Sequence, residues 1–145
     1  MEPPPRVPGD GTCLQGAGDF SSEGPYPITQ YDVDLGGGLG AYTVFHPVNL
    51  EAACPHPIVS WGNGTGVTGS ATYGAYHRHA ASWGIVTIAA HNANAGSMPF
   101  IEAGIDYLLA QNDDPASPLF GKLSTRAGVS GHSQGGIAAT SATSH

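Results

Sequence analysis

Gly131-His132-Ser133-Gln134-Gly135-Gly136 is the stretch on which the reading of this chain turns. It fits the pattern G-x-S-x-G. Residues 126–130 before it (Arg-Ala-Gly-Val-Ser) read as a short strand, and Gln134 onward reads as a helix with small residues on every face. The spacing has a physical cause. A serine at a strand-to-helix turn sits on a strained bend, and its flanking positions must be small for strand and helix to pass closely. The bend is expected to push the Ser133 hydroxyl out at the carboxyl edge of a sheet. It also aims the positive end of the following helix at the same point, where a developing oxyanion is favoured. An extra glycine, Gly136, is expected to relieve crowding. With 22 glycines in 145 residues, a bare match arises about 0.3 times by chance, so the strand before and the helix after carry the reading. The competing reading is an ordinary Gly-rich turn.

Working outward, residues 99–112 form the clearest helix. Pro99 suits a first helical position, and Ile101, Ile105, Leu108 and Leu109 fall on one face. Residues 113–124 read as a loop and 91–98 as a polar loop. Residues 85–90 are apolar and β-branched, as a strand covered on both faces should be. Residues 70–83 read as a helix capped by Ser70 or Thr72, with Tyr73, Tyr76, Ala80 and Trp83 at helical spacing and Gly84 ending it. Residues 57–61 fit a buried strand, followed by a Gly-rich loop over 62–69. Residues 26–35 and 41–46 read as a hairpin turned by Gly36-Gly37-Gly38, with Pro47 as its stop. Residues 1–25, rich in Pro and Gly, read as an extended arm. The order ββ, then β-α-β-α-β-α, predicts an α/β domain over 26–145 with a mainly parallel sheet and helices on both faces.

Composition excludes several functions. Net charge is −7, and the four basic residues (Arg6, Arg78, Lys122, Arg126) are scattered, which leaves no footprint for nucleic acid or an anionic membrane. No apolar run approaches the ~20 residues of a membrane span. The opening Met1-Glu2-Pro3-Pro4-Pro5-Arg6 lacks the features of a signal peptide, so the chain is cytoplasmic or its export signal is absent. Low charge with abundant Gly, Ser, Thr and Asn is a texture of secreted enzymes. The two cysteines, Cys13 and Cys54, would form one bridge in an exported protein and are otherwise two thiols.

Four segments together resemble an α/β-hydrolase of the cutinase and polyester-hydrolase type, close to the dienelactone-hydrolase-like esterases. They are Trp61-Gly62-Asn63-Gly64-Thr65-Gly66 after a strand, residues 79–89 (His-Ala-Ala-Ser-Trp-Gly-Ile-Val-Thr-Ile-Ala), Gly104-Ile105-Asp106-Tyr107-Leu108-Leu109, and the Ser133 stretch. The resemblance runs from about residue 42 to the end. It implies an α/β-hydrolase fold and a serine carboxylic ester hydrolase acting through an acyl-enzyme, without cofactor or metal, on a small or polymeric ester. It assigns Ser133 as nucleophile, and the N–H groups of Gln134 and Asn63 as the oxyanion hole. Many cutinase-like members have an aromatic residue where Asn63 stands, and the loop here is one residue longer, so Gly64 or Thr65 is an alternative donor. Trp61 and His132 are further candidates for contact with substrate.

Other readings of these residues are weaker. Gly64-Thr65-Gly66-Val67-Thr68-Gly69 fits G-x-G-x-x-G, but no Asp or Glu follows until Glu102 to hold a ribose, and no Lys follows to make a phosphate loop. His77 and His79 are two apart on a helix, a poor metal pair, and read as solvent-facing or capping. His46 and His56 read as structural, and Trp61 and Trp83 most simply as core.

A serine nucleophile needs a histidine base and an orienting acid, in the order Ser, Asp or Glu, His. After Ser133 no Asp or Glu follows, and His145 lies about 18 Å along a continued helix. The expectation is therefore the N-terminal half of a hydrolase domain, with the 126–130 strand left as an uncovered edge through which copies could self-associate. An inactive fragment or a non-catalytic binding module is the alternative.

Overall fold

The chain forms eight elements in the computed structural model, which describes residues 19–68, 71–94 and 97–142. In order they are β1 (Ile28–Asp34), β2 (Ala41–Pro47), β3 (His56–Gly62), α1 (Gly74–Ser82), β4 (Val86–Ala90), α2 (Met98–Asp113), β5 (Leu123–Gly131) and α3 (Gln134–Ala142). The arm up to residue 18, and with it Cys13, lies outside the described residues, as do Gly69, Ser70 and His145. Cys54 is disulfide-bonded.

The expected hairpin is present. Gly36, Gly37 and Gly40 adopt positive φ between β1 and β2, and Asp34 Oδ1 accepts the Gly36 N–H at 2.7 Å. The strands then line up in the order β1-β2-β4-β3-β5. The sheet is mixed rather than mainly parallel in its ladders: β1–β2 and β2–β4 are antiparallel, β3–β4 and β3–β5 parallel. The short hairpin forces the first reversal. Four strands nonetheless share one direction, with β2 alone running against them.

Helices cover both faces. Side chains alternate along each strand, so Phe45 and Thr87 share one face and meet α1. Phe45 stacks on His77 at 4.8 Å, and Thr87 Oγ1 bonds His77 Nδ1 at 2.8 Å. The opposite face carries Tyr42, Val44, Ile58, Val86, Ile88 and Ala90, packed with Leu108 of α2 and with Leu119 and Leu123. Gly104 lets α2 press close, since a Cβ there would lie 2.6 Å from Ser60 Oγ. Ile101 joins α2 to Ala138 and Ala139 of α3 on this same side.

Three expectations are corrected. α1 starts at Gly74, and its N-cap is Tyr73 with no side-chain cap bond, so Thr72 does not cap it. His77 does not face solvent: it is fully buried, and burial, with the adjacent Arg78 charge, pushes its imidazole down to about 4. β5 is nine residues long rather than five. It starts early because Asn112 Oδ1 accepts the Leu123 N–H and Lys122 O accepts the His56 N–H.

The described end of the N-terminal arm is docked. Trp83 Nε1 donates to Ser22 O, Gly24 N–H donates to Ser82 Oγ, and Phe20 packs edge-on against Trp83. His56 ties the neighbouring segment down, accepting the Glu51 N–H at Nε2 and donating from Nδ1 to Gly84 O, both at 2.9 Å. Among the described residues, no helix is long and apolar enough to cross a membrane.

Candidate active site

Parallel pairing of β3 with β5 brings two loops together at the carboxyl ends of these strands. Gly62, the last residue of β3, is in register with Gly131, the last of β5. The chain beyond Gly131 turns at once into α3, and Ser133 occupies that turn with φ of +55°. It is the one non-glycine residue with positive φ among the described residues. Such a backbone is strained for an L side chain and persists only where the surroundings impose it.

The surroundings here are the glycines. A Cβ on Gly135 would lie 1.9 Å from Gly62 O, and one on Gly131 would lie 2.4 Å from Gly135 C and O. Gly62 is pressed as well, since a Cβ there would lie 2.8 Å from Gly135 Cα. Strand, loop and helix therefore cross in backbone contact, and only hydrogen side chains fit. Gly136 differs from the expectation that it relieves crowding. A Cβ there would meet Gly131 O at 3.4 Å, an ordinary contact.

Ser133 is exposed at the tip of the turn, with Gln134 as the first residue of α3. Across from it, Asn63 opens the loop after β3. Its side chain points inward, 1% exposed, with Nδ2 donating to Ala90 O at 2.7 Å and Oδ1 buried without a partner. The Asn63 side-chain amide is therefore committed to the interior, and the backbone N–H is the donor left to consider at this position. Gly64 is no longer an alternative donor, because its N–H is given to the Tyr73 hydroxyl at 3.0 Å. Thr65 donates from Oγ1 to Gln134 Oε1 at 2.8 Å, which bridges the loop to the residue after the serine. Trp61 is 8% exposed and packed among the rings of Tyr73, Tyr76 and His77, so it belongs to the core on the α1 side. His132 is exposed, with Nδ1 3.0 Å from the Tyr73 hydroxyl.

Six histidines are described, and each ring is engaged elsewhere: His46 with Pro47 O, His56 with Glu51 and Gly84, His77 with Thr87, His79 with Phe20 O, His91 with Thr43, and His132 with Tyr73. None of the six bonds Ser133. Asp32 Oδ1 lies 3.8 Å from His91 Nε2 and accepts from the Thr43 hydroxyl, on the β1 side of the sheet. Among the described residues no group of three or more His, Cys, Asp or Glu is placed to hold a metal. A groove of about 430 Å³ lies between β5 and α3, lined by Val129, Ser130, Gly131, Gly136, Ala139 and Thr140. It does not include Ser133, Asn63 or Gln134.

Tyr73 is the residue that sequence reasoning missed. Its spacing with Tyr76 and Ala80 suggests a helix interior, whereas it stands before the helix and reaches back to the elbow. Neither the known family models nor the curated proteins give a match to this chain.

Proposed function

We propose that this chain carries the nucleophile and oxyanion hole of a serine carboxylic ester hydrolase built on an α/β-hydrolase fold. The observation that carries the reading is the left-handed backbone of Ser133 at a glycine-enforced strand-to-helix turn. A non-catalytic turn has no reason to hold a serine in that conformation when glycine would adopt it without strain. Further support comes from the β3-to-α1 loop, which is adjacent to the elbow as this reaction class requires.

In the reaction, Ser133 Oγ attacks the ester carbonyl carbon and its proton passes to a histidine base. The carbonyl oxygen becomes an oxyanion held by the N–H groups of Gln134 and Asn63, each worth about 3–4 kcal/mol in such sites. Collapse of the intermediate expels the alcohol, which takes up the proton, and water then releases the acid from the acyl-serine. The base is none of the six described histidines and comes from outside the described residues. No cofactor takes part. Position 63 is Asn, so it supplies no ring to clamp an aromatic acyl group. Secretion is proposed on the disulfide at Cys54.

A fluorophosphonate probe tests this directly. Oxyanion holes accelerate acylation even without the rest of a triad, by roughly 1,000-fold or more. Ser133 should therefore be modified at least about 100-fold faster than the exposed Ser141 of the same chain, as read by peptide mass spectrometry. Equal rates at the two serines would refute the esterase. That all six described histidines are engaged elsewhere favours a second reading, a hydrolase-like binding module, and equal labelling is the outcome it expects.

A further inference from the structure

The loop after β3 and the elbow after β5 belong to separate chain segments, yet side chains join them twice. One join is Thr65 Oγ1 to Gln134 Oε1 at 2.8 Å. The other runs through a single phenol. Tyr73 Oη accepts the Gly64 N–H at 3.0 Å and lies 3.0 Å from His132 Nδ1, to which it can donate its own proton. Gly64 permits this approach, since a Cβ there would sit 3.0 Å from both Tyr73 Oη and His132 Nδ1. The Tyr73 ring is held by Trp61, with centroids 5.0 Å apart, and tilts against His132 at 5.8 Å. The hydroxyl does nothing for the helix it precedes, because α1 has no side-chain cap bond. Its two bonds go to the residue after Asn63 and to the residue before Ser133.

We propose that Tyr73 is a positioning residue of the site: its hydroxyl ties the β3 loop to the elbow and so sets the separation of the Asn63 and Gln134 N–H groups. This rests on the esterase reading and deepens it. An oxyanion hole works by donors fixed in advance of the charge they receive. Here the two donors sit on different loops, so rigidity between the loops is what the rate depends on. His132, which precedes the nucleophile, is the anchor of the tie and not a proton acceptor from Ser133.

Tyr73→Phe keeps the ring against Trp61 and removes only the tie. Two readouts are needed: amide exchange at Gly64 by NMR, and the rate of Ser133 modification by a fluorophosphonate. The expected result is Gly64 exchange at least about 10-fold faster, Ser133 modification about 10-fold slower, and an unchanged thermal midpoint. Adding His132→Ala to Tyr73→Phe should slow modification little further, since both remove one tie. Unchanged Gly64 exchange in Tyr73→Phe overturns the tie. Faster Gly64 exchange with unchanged modification of Ser133 overturns its role in the site. Should wild-type protein show no preference for Ser133, the esterase reading itself falls, and the wild-type arm alone reveals that.

Discussion

β4 and β5 both pair in parallel with β3, one on each side, and they live in different environments. All five residues of β4 are buried, whereas Thr125, Arg126, Ala127 and Gly128 of β5 are exposed. β4 has β2 on its outer edge, α1 on one face and α2 on the other. β5 ends the sheet, and α3 covers one face near its end. Along β5 a single charge, Arg126, stands among short Ser, Thr, Ala, Gly and Val residues, whereas β1 at the other edge carries two carboxylates, Asp32 and Asp34, suited to water. The lesson is that the serine stands on the less supported half of the molecule. Its geometry is held by local backbone contact and by ties to β3, not by a deep core.

The largest effect should separate the two strands. Ile88→Ala in β4 removes a fully buried side chain and is expected to cost about 2–5 kcal/mol, while Val129→Ala in β5, only partly buried, should cost about 1 kcal/mol. Urea denaturation of both variants measures this, and equal losses would erase the contrast. Next comes acid. His77, against β2 and β4, has its pKa lowered from 6.5 to about 4. Between those values the unfolded chain binds a proton that folded His77 does not, so stability falls as pH drops through this window, by about 3 kcal/mol in all. Burial lowers His46 in the same direction. His77→Leu should flatten the acid limb of a stability-pH profile, and an unaltered limb would place the acid sensitivity elsewhere.

The elbow glycines give a sharper, smaller contrast. Gly135→Ala should cost about 3 kcal/mol because its methyl meets Gly62 O, while Gly136→Ala, one residue on in the helix, should be neutral or slightly stabilising. Ser133→Gly relieves the left-handed strain and should raise stability by about 1 kcal/mol as it abolishes labelling, a trade that calorimetry and mass spectrometry read together. The smallest change in stability is expected from Ala127→Lys, exposed on the open strand. If that edge drives self-association through its unpaired backbone, the lysine should suppress concentration-dependent growth in size by light scattering.

Much of this architecture is legible in the sequence. The glycine run at 36–38 and its flanking alternation marked the hairpin. Pro99 and the i, i+4, i+7 leucines and isoleucines marked α2, and G-x-S-x-G marked the turn at Ser133. Local signals sufficed there because the constraint is local. Tertiary partners decided the rest. His77 is buried because Phe45, 32 positions earlier, stacks on it, and no helical pattern contains that fact. Placement of β2 beside β4, which makes the sheet mixed, follows from packing and not from chain order. The spacing of Tyr73 with Tyr76 and Ala80 reports a helix face and is blind to where the hydroxyl goes. Gly64 and Thr65 were interchangeable as donors in the sequence, and only their hydrogen bonds distinguish them.

The imidazole of His56 carries one last implication. With one ring nitrogen receiving an amide proton and the other facing a carbonyl, only the Nδ1–H tautomer satisfies both neighbours. That is an unambiguous signature for nitrogen-15 spectroscopy. The resonance would act as a sentinel for the seam where residues 51 and 84 meet, changing when that seam loosens.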